Sequence, residues 1–310
     1  MSAPPPARVQ GTLDAAAGAT RERLGRLPAA ERARGTAFHL LVFLAAMIAI
    51  AGLVALIVQA AVEGRPRLDS ALVTEQPSSV AEEGGFQSAI YGTLLIMAGV
   101  IVTVVPLGIG AAIYLEEFAD QTRWYNRLIE VNIQNLAAVP SIVFGILGLG
   151  LIVRGPLDLG FVAYAGSLTL SLLVLPTVIL ACREALRAVP SSIREGALAL
   201  GATRWQSVRH QVLPAAVPGI VTGVILALSR AIGETAPLLL VGATVFVTFN
   251  PEGPFEGAYT ALPVAIFNYV ARPQEEFRVL AAAGILVLLV VLLLMNSFAI
   301  WLRNRYSQRW

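Results

Sequence analysis

Arg230 and Glu234 stand four positions apart in an otherwise apolar stretch running from about Val217 to Phe246. On a helix that spacing puts two side chains about 40° apart in azimuth and within reach of one another. An isolated arginine in mid-membrane costs roughly 2.5–3.5 kcal/mol on insertion scales, so it belongs against protein, water or a partner rather than lipid. The residues alone allow three roles: a structural ion pair locking a helix bundle, a guanidinium fork presented to an oxyanion in transit, or a proton relay.

Other chemistries find little support. His39 and His210 are far apart and form no metal-ligand cluster, and the single cysteine, Cys182, rules out an internal disulfide. Cys182 reads as a small apolar filler near a span end, His39 as a boundary residue and His210 as part of a polar loop. No Ser/His/Asp or paired-carboxylate arrangement is evident, so no catalytic residue is assigned. All 22 basic residues are arginine. A P-loop needs a lysine to reach the nucleotide phosphates, so this chain holds no ordinary Walker A site, and any ATP and Mg must be bound by another subunit. The chain itself calls for no cofactor and no metal. A net charge of +2 gives no argument for nucleic acid.

The most ordered polar stretch lies between Pro190 and Pro214. Ser192-Ile193-Arg194-Glu195 fits a capping box, Gly201 is a natural helix stop, and Thr203-Arg204-Trp205-Gln206 repeats the cap signature before Pro214 closes the second helix. Ile193, Ala197 and Leu200 fall on one face of the first helix, and Trp205, Val208 and Val212 share a face of the second. Two small amphipathic helices between membrane spans want something to pack against.

The elements that must position these residues are membrane spans. The chain has 310 residues, 56% hydrophobic and 14% charged, where a soluble domain carries about 25% charged residues. Residues 1–36 read as a disordered basic tail, with a turn or two of helix near Ala29–Arg34. Residues 37–62 form a first span too long for a signal-peptide core. Glu63–Phe86 is a polar connection with five acids and two arginines. A five-helix core then covers residues 87–302, with spans at Gln87–Leu115, Ile133–Val153, Phe161–Cys182, Val217–Phe246 and Val279–Leu302. Pro106, Pro140 and Pro176 predict kinks or local unwinding. Tyr259–Ala271 predicts a helix lying at the interface or dipping back into the membrane. Asn296 and Ser297 suit hydrogen bonds between spans.

With the amino terminus inside, sixteen arginines fall on the inner side and five on the outer, leaving Arg230 within a span. That asymmetry puts both termini, the 303–310 tail and the 183–216 loop in the cytoplasm.

These residues carry a family resemblance. Glu195-Gly196-Ala197, then Gly201, then Leu213-Pro214 resembles the EAA loop of bacterial ABC-transporter permeases, with Gly196 in place of the first alanine and Gln211 in place of the usual isoleucine. Arg230 to Pro237 (RAIGETAP) and Arg272 to Phe277 (RPQEEF) are similar to the A-type (PstA) membrane subunits of phosphate-specific importers, a likeness covering residues 36 to 306. It implies a type I ABC importer permease fold with six transmembrane helices in the bacterial inner membrane. It also implies a non-catalytic subunit beside a second permease (PstC type), an ATPase dimer (PstB type) and an extracytoplasmic phosphate-binding protein (PstS type). Glu195, Gly196, Ala197, Gly201, Leu213 and Pro214 would couple to the ATPase, with Arg230 and Glu234 in the phosphate path. Arg272–Phe277 is either an interfacial anchor or a contact for the binding protein. A permease for molybdate, sulfate or phosphonate is the alternative within this fold, and a proton-coupled secondary transporter the alternative outside it.

Overall fold

A computed structural model of the chain describes residues 29–120, 122–243 and 246–306. Among these the regular structure is helical, the extended pairings being two isolated bridges, Ala243 with Tyr259 and Gly253 with Glu256. Among the described residues five helices are long and apolar enough to cross a membrane, and a bent pair makes a sixth crossing if taken as one. The expected all-α, multi-pass architecture is therefore present. The chain divides into two compact units, residues 1–59 and 60–310.

The first apolar run is carried by α1 (Ala29–Gly64). Helical geometry begins at Ala29, so the turn or two of helix expected near Ala29–Arg34 is present and continues without a break into the apolar run. Alanine, glutamate and arginine there are good helix formers, and a helix already nucleated by the apolar run extends at little cost. The rest of that tail, residues 1–28, and the final residues 307–310 lie outside the described residues.

In the second unit, after a single helical turn at Ala71–Thr74, the helices among the described residues are α2 (Gln87–Ile113), α3 (Trp124–Ala137), α4 (Ser141–Leu147), α5 (Ala163–Arg187), α6 (Ser191–Ala199), α7 (Arg204–Ser207), α8 (Leu213–Ile232), α9 (Ala236–Leu240), α10 (Leu262–Val270) and α11 (Glu275–Tyr306). The central one is α5, with α2 and α8 packed along it and Cys182 wholly buried among them. Gly219 and Gly223 of α8 face Ala185 and Ala181 of α5, where an added Cβ would stand 2.8 and 2.6 Å from the alanine methyls. The four-residue spacing on both helices makes a strip of small residues along which backbones meet. Lipid tails are as apolar as leucine, so close van der Waals packing of this kind, rather than hydrophobic burial, holds spans together. Hydrogen bonds add to it: Ser167 Oγ donates to the Ile96 carbonyl at 3.1 Å between α5 and α2, and Ser229 Oγ lies 2.6 Å from Asn296 Oδ1 between α8 and α11. Ser297, expected to do the same, faces outward.

Two expected spans are corrected. The third is not a straight Ile133–Val153 helix: α3 begins at Trp124, within the stretch between the second and third expected spans, and meets the Ser141–Val153 segment at 109°. Pro140, with φ −57° and ψ 139°, makes the corner, because the residue before a proline is pushed from helical geometry and the ring cannot donate to the preceding turn. Pro106 and Pro176 lie inside α2 and α5 without ending them; α2 leaves α geometry only beyond, in a π turn at Tyr114–Phe118. The fifth span stops at Ile232 rather than Phe246.

The connection from Glu63 to Phe86 is folded rather than a loose polar linker. Leu72, Ala81 and Phe86 join Leu262, Tyr269, Phe277 and Leu280 in a second small core. The Phe86 ring meets Tyr269 edge-on at 5.4 Å, and Tyr269 stacks on Phe277 at 5.5 Å. Arg67 ties the connection together by donating to the carbonyls of Ala81 and Gly84. α10 is buried against α2 and α11 rather than spread on a surface. The Arg272 guanidinium sits 4.2 Å over the Phe277 ring, holding the turn that leads into α11.

Candidate functional site

The 183–216 loop is built from α6 and α7. α6 starts after Pro190, so Ser192 lies within its first turn and makes no capping bond; the expected Ser192–Glu195 box is absent. Arg194 does the work of holding this helix instead, donating to the Val189 carbonyl at 2.7 Å and the Leu186 carbonyl at 2.9 Å. Glu195, freed from capping, is exposed, as is Gly196, and Ala197 is half-buried.

Gly201 has φ +84° and ends α6. The Gly201 amide donates to the Leu198 carbonyl at 2.9 Å and the Ala202 amide to the Ala197 carbonyl at 3.1 Å, the two bonds of a Schellman motif. Only glycine adopts that left-handed geometry without a Cβ penalty. α7 then begins with the expected capping box, Thr203 and Gln206 exchanging bonds of 2.8 and 3.3 Å. Leu200 stands 90% exposed at the bend, with Leu198 and Trp205 open beside it, while Val208 and Val212 are buried.

Pro214 does not close the second loop helix. α7, a π turn at Val208–Val212 and α8 form one continuous rod from Arg204 to Ile232. Pro214 sits in the first turn of α8, where its missing amide is harmless, and the wider π turn just before it removes the demand for an α bond to the carbonyl of His210. Leu213 and Pro214 are thus the joint of a rod roughly 43 Å long at 1.5 Å per residue. His210 is exposed on that joint, its Nδ1 3.1 Å from the Gln206 carbonyl oxygen.

At the other end of the rod stands Arg230. It lies in the last turn of α8, and Glu234 follows just beyond the Gly233 cap, so the two do not share a helix as their spacing implied. They still pair, Nε to Oε1 at 3.4 Å, with Arg230 60% and Glu234 17% exposed. This pair is therefore at the surface of the subunit rather than sealed in its core. The chain continues through Thr235 into α9, which packs on α4.

Sequence reasoning missed the charged layer beneath the loop. Arg183 of α5 lies 3.2 Å from Glu116 and 2.9 Å from Glu130; Arg187 lies 2.8 Å from Glu116; Arg194 reaches Glu117 at 2.6 Å. Beside them Asp120 caps its own turn: the Thr122 hydroxyl and amide, then Arg123, hold its carboxyl below the ordinary carboxylate range. The available signal was the run of glutamates at 116, 117 and 130 matched against arginines at 183, 187 and 194, all placed on one side by the arginine count.

Residues 104–308 match the family described as "Binding-protein-dependent transport system inner membrane component". The phosphate transport system permease protein PstA 1 of Mycobacterium tuberculosis (strain CDC 1551 / Oshkosh) is 37% identical over 231 residues, covering 73% of each chain. PstA of Yersinia pestis is 36% identical, covering 76% of this chain and 79% of that one. Among solved structures, a chain of a bacterial alginate ABC transporter, in complex with its pentasaccharide-bound periplasmic protein, aligns over 89% of this chain and 96% of its own. It does so with a TM-score of 0.62 at 14% identity, a likeness of fold.

Proposed function

Because the chain belongs to the binding-protein-dependent transport system inner membrane component family, we propose that it is the A-type permease subunit of an ATP-driven importer of inorganic phosphate. The substrate follows the relatives named as phosphate transport permeases. The observation that carries the coupling role is the loop's open face: Glu195 without a capping duty, Leu200 at the Schellman bend, and Trp205 at the foot of an unbroken rod.

In this reading both termini and the loop are cytoplasmic, the side that the arginine distribution favours. α6 and α7 seat in a groove of one ATPase subunit of a PstB-type dimer. ATP and Mg belong to that dimer, since a chain without lysine has no P-loop of its own. Closure of the dimer tilts the rod from its lower end and so moves Arg230 and Glu234 at its upper end. A PstC-type permease covers the exposed Arg230 face, and a PstS-type binding protein delivers phosphate from outside. This subunit contributes no covalent chemistry. Arg230 suits an oxyanion because only its Nε is engaged by Glu234, leaving the outer guanidinium nitrogens for bidentate hydrogen bonds.

Reconstitution of the four components in liposomes tests substrate, partners and class together. Phosphate is expected to stimulate ATP hydrolysis and to accumulate inside, vanadate to abolish both, and sulfate and molybdate to do neither. Stimulation by sulfate or molybdate instead would reassign the substrate, and uptake driven by a proton gradient without ATP would reassign the class.

A further inference from the structure

Glu116, Glu117 and Phe118 are consecutive residues of the π turn that ends the second span, and each grips a different downstream element. Glu116 accepts from Arg187 at 2.8 Å and Arg183 at 3.2 Å, both on α5. Glu117 accepts from Arg194 of α6 through Nη2 at 2.6 Å and Nε at 3.1 Å. The Phe118 ring lies 6.3 Å from Trp205 and 5.5 Å beneath the Arg204 guanidinium, both on α7.

We propose that this triplet, through the Glu117–Arg194 pair above all, transmits motion of the loop to the second span, so that ATP-driven closure shifts the second and fifth spans together. The inference rests on the coupling role given to the loop above. Four observations carry it. Glu117 is 5% exposed, and among the described residues its hydrogen bonds all come from Arg194, so separating the two strands a buried carboxylate. The guanidinium fork engages both carboxylate oxygens, which resists rotation in a way that a single apolar contact does not. Arg194 is also tied to the carbonyls of Leu186 and Val189, so α6, the end of α5 and the end of α2 share one node. The pair joins residues 77 apart in sequence, which makes it a direct route from loop to second span where the covalent route runs through two other spans.

The number of ATP molecules hydrolysed per phosphate imported separates transmission from simple stabilisation. Loss of stability lowers the amount of complex, and with it both rates in parallel. Loss of transmission lets the ATPase cycle without transport. In liposomes holding the four components, E117Q and R194Q are each expected to raise that ratio at least about fivefold. The double variant is expected to raise it no further than either single one, since the two residues act as one link. E117D keeps the charge while shortening the side chain. Should E117Q fail to assemble, E117D serves in its place, with a smaller rise expected. An unchanged ratio, or additive effects in the double variant, overturns the link. If the wild-type complex imports another oxyanion in place of phosphate, the substrate reading falls and the ratio is measured with that anion. If it imports none, the functional reading falls and the link with it.

Discussion

Arg183 is clamped between Glu116 and Glu130, at 3.2 and 2.9 Å, with 3% of its side chain exposed. One cation from α5 thereby holds the end of the second span and the bent third span at a single point. R183M leaves two carboxylates facing one another with only Arg187 to offset them, and that arginine is half in solvent. Breaking a buried pair from one side costs about 3–5 kcal/mol, whereas neutralising both sides is far milder. The detergent-solubilised R183M subunit is expected to melt well below wild type, and R183M with E130Q to recover part of the loss. Equal melting of R183M and wild type would show that the clamp adds nothing.

The sequence made this clamp hard to see for a physical reason. Spans, the bend at Gly201 and the Thr203–Gln206 cap are local: each follows from hydrophobic length or from residues three or four apart. Arg183 meets Glu130 across 53 positions and Arg194 meets Glu117 across 77, and only the fold brings them together. Local reading also erred where neighbouring residues moved a helix boundary. Ser192 looked like a cap, but Pro190 sets the helix start two residues earlier and Arg194 fastens it. Pro214 looked like a stop, but a π turn absorbs it. Gly233 breaks the helix that would have joined Arg230 to Glu234, yet the pair survives because the chain beyond the cap turns back within reach.

Gly201 and Gly196 are expected to respond differently. A β-branched residue at φ +84° is strained, so G201V disturbs the bend between α6 and α7. Gly196 is helical, with nothing within 4 Å of an added Cβ. G196A is therefore expected to hold or raise the melting temperature of the isolated subunit, since alanine is favoured over glycine in a helix by about 0.5–1 kcal/mol. G201V is expected to insert in the membrane and lose phosphate-stimulated ATP hydrolysis. Wild-type uptake and stimulation in G201V would remove the loop from the coupling route.

Orientation is read by labelling. Ala81 is a poor reporter, being 7% exposed in the second core, but its neighbour Val80 is 44% exposed and Leu200 is 90% exposed. In a C182S background, V80C is expected to react with an impermeant thiol reagent in intact cells, and L200C only after permeabilisation. The reverse pattern would place the loop outside and separate it from any cytoplasmic ATPase.

Arg230 and Glu234 give the sharpest test of the proposed phosphate path, because the exposure of the pair changes what a structural role predicts. A surface ion pair contributes about 0–1 kcal/mol, so neither R230Q nor E234Q should prevent folding of the subunit. If the pair only steadies the end of α8, the two single variants and the double variant all transport nearly as well as wild type. If Arg230 holds the anion, R230Q and the double variant assemble into a vanadate-sensitive ATPase complex that imports phosphate at least about tenfold more slowly, a barrier change of roughly 1.4 kcal/mol. R230K then retains part of the activity, since it keeps the charge and loses the planar fork. E234Q removes the competing carboxylate while leaving the guanidinium in place, so its expected effect is smaller than that of R230Q. Uptake by R230Q close to wild type would leave Arg230 and Glu234 as a surface pair and move the anion path elsewhere.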